Sequence, residues 1–220
     1  MADDVDFCAG LVRARDPDRY VATLYAPAAM RPRLFALHAL DLELLAVVES
    51  TTEPMVGRIR LAWWRERIAA LGDQRAPDQP VLRALAAHVV PVMLAPGALV
   101  GLDDACEAYL EGEPERWADL RGACLFSAGS KLLGVPDRDV EATGRLWARA
   151  DAWRRGEEVA VPGDTSPRTP ASLRPLLAPA MLALRDVRRG TRRKPGQPDG
   201  LALSPGRQLR LLAFMLTGRF

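Results

Sequence analysis

Residues 28–49 read AAMRPRLFALHALDLELLAVVE. Apolar side chains recur there on every turn, and the pattern predicts one helix of roughly six turns. At about 100° per residue, Arg31, His38, Leu42, Leu45 and Glu49 fall within about 60° of one another. Leu34, Phe35, Leu37, Leu40, Leu44, Val47 and Val48 cover much of the rest. A helix this apolar belongs in the interior. Its narrow polar strip must then face an internal cavity or a polar seam between helices. The plainer alternative is that Arg31, His38 and Glu49 make ordinary edge contacts, because buried polar groups usually find partners.

The segments on either side read the same way. Ala/Leu/Arg-rich stretches are punctuated by Pro, Gly and Asp, and strand-like alternation is scarce. The pattern predicts a helix over 4–15 and a restart at Asp16-Pro17, an N-cap followed by a first-turn proline. Further helices are predicted over 53–72, 80–90, 96–111, 119–133, 137–155, 172–189 and 204–217. Two Pro/Gly-rich connections, 156–170 and 190–203, are too short to divide the chain, and no repeat is evident. The expectation is a single all-α domain over residues 1–220.

At 220 residues with 49% apolar side chains, the chain can bury a sizeable core. A formal net charge of +2 gives no reason to expect nucleic acid as a partner. Cys8, Cys106 and Cys124 are odd in number and lack metal-type spacing, so they read as free thiols of a reducing compartment. The acidic start has no signal-peptide pattern. The longest uncharged stretch, 84–102, is broken by Pro91, Pro96 and Gly97 and cannot span a membrane as one helix. The expected location is the cytoplasm, with peripheral contact with the inner membrane as a variant of it.

Several stretches resemble the squalene/phytoene synthase family. They are LFALHAL at 34–40 with EPMVGRIRLAWWRE at 53–66, QPVLRAL at 79–85, the run from Trp117 through Ala128-Gly129 to Gly134, and VAVP at 159–162. The resemblance lies in their order and spacing over residues 7–162. It implies an isoprenoid synthase type bundle of about eight to ten helices around a central cavity, shortened on the C-terminal side. It also implies that Arg31, His38, Leu42, Leu45, Glu49, Trp147 and Asp151 line that cavity.

Active members of that family join prenyl diphosphates head to head. Two facing acidic motifs hold the Mg²⁺ that takes up the diphosphate charge. Mg²⁺ requires carboxylate and phosphate oxygens, and an i, i+4 acid pair puts two carboxylates on one helix face. By that alignment the first pair falls on Leu45 and Glu49, so one carboxylate is missing. The second motif falls on GRLWARADAWRR at 144–155, where Asp151 is the only acid. The whole chain contains no Asn. Catalysis would rest on Glu49 and Asp151, with Glu53 as a further candidate ligand.

CAGLVRARD at 8–16, the acids of LDLEL at 40–44 and the 53–60 segment resemble the branch that includes the mitochondrial complex I assembly factor. That likeness implies a binding or assembly role with a respiratory-complex protein or an isoprenoid or lipid ligand, and no cofactor. The alternative is a Mg²⁺-dependent prenyltransferase acting on farnesyl or geranylgeranyl diphosphate through a reduced metal site.

Other patterns are weaker. Asp103, Asp104, Glu107 and Glu111 could form a relocated Mg²⁺ site. The plainer reading is an acidic face beside Arg116 and Arg121, because no second acidic cluster faces it. No zinc pattern, Ser/His/Asp arrangement, phosphate loop or dinucleotide fingerprint occurs. Arg188, Arg189, Arg192, Arg193 and Lys194 form a candidate surface anion site, weighed against a solvated loop.

Overall fold

In the computed structural model the chain runs helix after helix, and residues 2–73, 76–135, 139–162, 170–192 and 204–219 are described. Ten α-helices occur among them: α1 Ala2–Arg15, α2 Pro17–Leu24, α3 Arg31–Glu49, α4 Pro54–Ala69, α5 Pro80–His88, α6 Val100–Leu110, α7 Pro114–Leu132, α8 Val140–Arg155, α9 Arg174–Arg188 and α10 Pro205–Thr217. Short 3-10 turns, Pro96–Leu99 and Ala171–Leu173, lead into α6 and α9. The all-α expectation holds. Several bounds shift by three or four residues, as where a 3-10 turn precedes α6, and the largest displacement is at α7, which begins at Pro114, about a turn and a half before the expected start. Pro114 occupies the first turn, where its missing N–H costs nothing.

The starts of the helices follow local chemistry. The Asp16 carboxylate accepts the Arg19 N–H at 3.0 Å and caps α2 ahead of Pro17. The Gln79 side chain does the same for Leu82 at 2.8 Å, ahead of Pro80. α8 ends where Gly156 takes φ +106°, a left-handed conformation open to glycine at little cost.

α3 is the buried axis. α1, α2, α4, α5, α6 and α7 all pack against it. Leu34, Leu37, Leu40 and Leu42 have no solvent exposure, and each such side chain contributes about 1.5–3 kcal/mol of gross burial. α7 and α8 form the most extensive helix pair, and they touch backbone to backbone. A Cβ on Gly122 would lie 2.1 Å from the Gly144 carbonyl oxygen, and one on Gly144 would lie 2.2 Å from that of Gly122. Only hydrogen fits at this crossing. It fixes the register between Arg121, beside Gly122, and the α8 residues Trp147, Asp151 and Arg155.

α9 and α10 close the other side of α2 and α8. Arg207 of α10 donates to Asp18 of α2 at 2.7 and 2.5 Å and to Asp186 of α9 at 2.8 and 2.9 Å. Arg154 of α8 lies 3.6 Å from Asp18 and 3.4 Å from Asp186. Two carboxylates and two guanidinium groups thus join four helices. At the far end of α10, Arg174 donates to the carbonyls of Met215 and Leu216 at 2.6 and 2.9 Å.

Gly122→Ala should push α7 from α8 and cost on the order of 1–3 kcal/mol, as overpacking does. Gly112→Ala, where a Cβ meets open space, tests backbone freedom alone at φ +74°. Urea unfolding midpoints of the two variants against wild type separate the effects.

Candidate functional site

The polar strip of α3 faces a seam between helices rather than an open chamber. At its centre is Asp41, a residue the helical-wheel strip left out. Arg121 of α7 donates from Nε to Asp41 Oδ1 at 2.7 Å and from Nη2 to Oδ2 at 2.8 Å. Arg19 of α2 adds a bond from Nη1 to Oδ2 at 2.7 Å. Arg19 Nε also reaches the Asp16 carboxylate at 2.7 Å. All four side chains are buried.

The alternation continues across the molecule. Arg121 Nη1 donates to Asp151 Oδ2 at 2.9 Å, and Arg155 Nε reaches the same oxygen at 2.9 Å. Arg155 Nη1 donates to Glu49 Oε1 at 2.8 Å. Arg15 Nη2 takes the other Glu49 oxygen at 3.1 Å, while its Nη1 bonds the Leu42 carbonyl at 2.7 Å. The order is Asp16, Arg19, Asp41, Arg121, Asp151, Arg155, Glu49, Arg15. Four acids and four arginines balance, and exposure grows from the Asp16 end towards Glu49.

Aromatic faces enclose the central guanidinium. Arg121 lies 4.8 Å from the Trp147 ring centroid and 5.5 Å from that of Trp117. Arg19 sits 5.2 Å from Trp147. An indole face attracts a cation most strongly once water is excluded. Burial alone would raise the Asp41 pKa, but Arg121 and Arg19 outweigh it and hold the carboxyl well below its ordinary range. Burial would likewise lower the Arg121 pKa, and Asp41 and Asp151 reverse that. His38 has no such partner. Its Nδ1 is buried without a hydrogen bond, and burial, with Arg19 adding repulsion, lowers its pKa to about 3.

Glu49 and Asp151 are therefore brought together, with Arg155 between them. Both Glu49 oxygens and Asp151 Oδ2 already accept guanidinium hydrogens. Mg²⁺ needs such oxygens free, in octahedral array. This donor set does not fit it. Among the described residues, no three His, Cys, Asp or Glu side chains converge closely enough to hold a metal ion.

Leu42, Leu45, His38 and Trp147, expected to line a cavity, are packed core residues. The gap bounded by Asp41, Leu45, Leu102, Trp117 and Arg121 is too small for a water molecule. Arg31 lies off the seam and bonds the Ala26 carbonyl at 2.9 Å.

The 103–111 acids meet α4. Arg65 pairs with Asp103, and Arg58 reaches Glu107 at 3.2 Å and Glu111 at 3.9 Å. Arg121, expected beside those acids, points into the seam instead. Arg188 ends α9, Arg189 caps it and Arg192 stacks on Trp153 at 4.7 Å. Arg193 and Lys194 lie outside the described residues. Cys8, Cys106 and Cys124 are free thiols, and burial raises the pKa of each.

From sequence Asp16 reads as a helix cap, Asp41 as one of the acids of the 40–44 segment, and Arg121 as a neighbour of the 103–111 acids; none is assigned to a buried network. An i, i+4 wheel looks for like charges on one helix, whereas the pairs here join opposite charges, and apart from Arg19–Asp16 and Arg155–Asp151 they are made between helices.

Asp41→Asn should leave Arg19 and Arg121 with one countercharge too few, Asp16 and Asp151 remaining, and cost roughly 3–5 kcal/mol, read by urea unfolding. The pH response has a definite sign. Between 6.5 and about 3 the unfolded chain protonates His38 and the folded chain does not. Stability should therefore fall as pH is lowered through that window, by at most about 1.4 kcal/mol per pH unit. His38→Gln should remove that component of the slope. The Asp41 contribution should be full above that carboxylate's ordinary pKa and be lost progressively as pH falls below it towards the depressed folded value.

A family model described as squalene/phytoene synthase matches residues 12–135, more than half of the chain. The matched span stops before α8, which carries Asp151 and Arg155. A human protein named "NADH dehydrogenase (ubiquinone) complex I, assembly factor 6" is 29% identical over 138 residues, 60% of this chain and 41% of that protein. The protein of that name from Bos taurus is 28% identical over the same shares. A Drosophila melanogaster homolog is 36% identical over 84 residues, 36% of this chain and 25% of its own. The matches thus span less than half the length of these relatives. No solved structure gives a significant match. With its matched span running from α1 into α7, the chain belongs to the squalene/phytoene synthase family.

Proposed function

We propose that this chain is a non-catalytic member of its family that binds a protein partner and serves assembly of the respiratory NADH dehydrogenase. The observation that carries this reading is the occupancy of Glu49 and Asp151 by Arg15, Arg121 and Arg155. A guanidinium balances a carboxylate without offering a coordination site, so the charge that would recruit Mg²⁺ is already neutralised. The names of the relatives supply the direction towards complex I.

The partner is better sought on the surface than inside. The closed gap at Asp41 and Leu45 argues against an isoprenoid or lipid tail held there. On α4, Met55, Val56, Ile59 and Trp63 are exposed at helical spacing, opposite the buried Gly57, Leu61 and Trp64. Arg60 and Arg67 flank that stripe on one side, and Glu66 lies in line with it towards the C-terminal end of the helix. An apolar centre with a rim of mixed sign suits a protein surface. The setting that goes with this reading is the cytoplasm at the membrane that holds the complex. No helix among the described residues is long and apolar enough to cross it.

The competing reading, a prenyltransferase using Glu49 and Asp151 with Mg²⁺, makes the opposite forecast. Purified folded protein should release no diphosphate from farnesyl or geranylgeranyl diphosphate, with or without Mg²⁺. Mg²⁺-dependent release abolished by Glu49→Gln would establish the enzyme instead. In a host lacking the gene, assembled NADH dehydrogenase on native gels should fall. Wild type and Glu49→Gln should restore it, and Ile59→Asp should restore it poorly.

A further inference from the structure

α10 is apolar on two opposite faces. Arg207, Leu211 and Phe214 point into the fold. Leu209, Leu212 and Leu216 point out, with exposures of 65%, 40% and 71%. At about 100° per residue these three leucines fall within about 60° of one another. The ion pairs of Arg207 at one end and the Arg174 bonds at the other hold the helix in that rotation. The stripe is thus a fixed convex ridge rather than a groove.

Among the described residues, the charges on α10 and the end of α9 that are not paired in the fold have one sign. α10 contains no Asp or Glu. Arg210 bonds the Gly206 carbonyl at 3.1 Å and, among the described residues, pairs with no carboxylate. The neighbouring end of α9 carries Arg185, Arg188 and Arg189. Arg185 Nε is buried without a hydrogen-bond partner. Desolvation, and then the charges of Arg189 and Arg210, press the Arg185 pKa below its ordinary value. Asp186, the acid in that turn, is already held by Arg207.

We propose that this face is a membrane-docking site: Leu209, Leu212 and Leu216 enter the headgroup boundary of an anionic bilayer, and Arg185, Arg189 and Arg210 engage its phosphates. Amphipathic helices that lie in the interface combine an apolar ridge with basic flanks in this way, and anionic lipid attracts each nearby cation. A second copy is a poorer occupant. Packing α10 on its own twofold mate would bring Arg210 towards Arg210 with no carboxylate on either helix. The ridge differs from that of α4, where Glu66 gives the rim both signs. The inference is independent of the assembly role.

The test is vesicle flotation of the full chain at low salt, with phosphatidylcholine alone and with phosphatidylcholine containing phosphatidylglycerol. Wild type should float only with the anionic vesicles. Affinity should drop about fivefold for each of Arg185→Gln, Arg189→Gln and Arg210→Gln, the factor for roughly 1 kcal/mol per cation. Leu209→Ser, Leu212→Ser and Leu216→Ser combined should abolish flotation with helicity unchanged by circular dichroism. Ile59→Ser on α4 should float like wild type. Equal flotation with neutral vesicles, none with anionic ones, or binding untouched by the leucine or arginine changes would overturn the proposal. So would loss of flotation in Ile59→Ser, or a wild-type dimer that the leucine changes dissolve.

Discussion

Arg121 enters the interior between two indoles and gives two hydrogen bonds to Asp41 and one to Asp151. Everything central in this fold is arranged around that side chain. A lone buried cation would be intolerable, so two carboxylates from different helices must be present, and each of those needs a further arginine. The alternation runs outward until Glu49 and Arg15 reach partial exposure, where water completes the solvation. The seam thereby ties α1, α2, α3, α7 and α8 in one relative position. Replacing such pairs with apolar residues is often neutral or stabilising in other proteins, so its clearest contribution is to specify a single packing.

The same seam explains why the family's metal chemistry does not fit. Mg²⁺ and guanidinium groups both satisfy facing carboxylates, but they differ in what they leave available. A metal ion retains positions for phosphate oxygens. Arginines fill the space with carbon and nitrogen and offer no position for a second ligand. Here Leu45 stands where the resemblance puts an acid, and Trp117 and Arg121 close the gap in front of it. Loss of the acid and closure of the gap are two aspects of one packing solution.

What remains for function is the surface. Two helices at separate places, α4 and α10, are apolar both inward and outward. An interior helix needs no solvent face, and an ordinary surface helix needs no second apolar face. Having both on a folded chain marks a helix with something left to cover. The signs of the flanking charges differ between the two, which is why they are assigned different occupants.

The sequence by itself determined the helical class, most helix starts and the central place of residues 31–49. Those are local or periodic properties: Asp16-Pro17 and Gln79-Pro80 cap, Gly156 terminates, and an apolar periodicity buries α3. It also determined that Leu45 cannot bind a metal. Only the tertiary structure decided that Asp41, one turn before Leu45, is the acid at the centre, and that Arg121 turns inward rather than towards Glu107 and Glu111. Ion pairs as far apart in sequence as Asp41 and Arg121, or Glu49 and Arg155, exist because Gly122 and Gly144 let two backbones touch and set the register between α7 and α8. Spacing along one helix cannot report a distance to another. The choice between a metal site and a closed seam therefore lay in the packing.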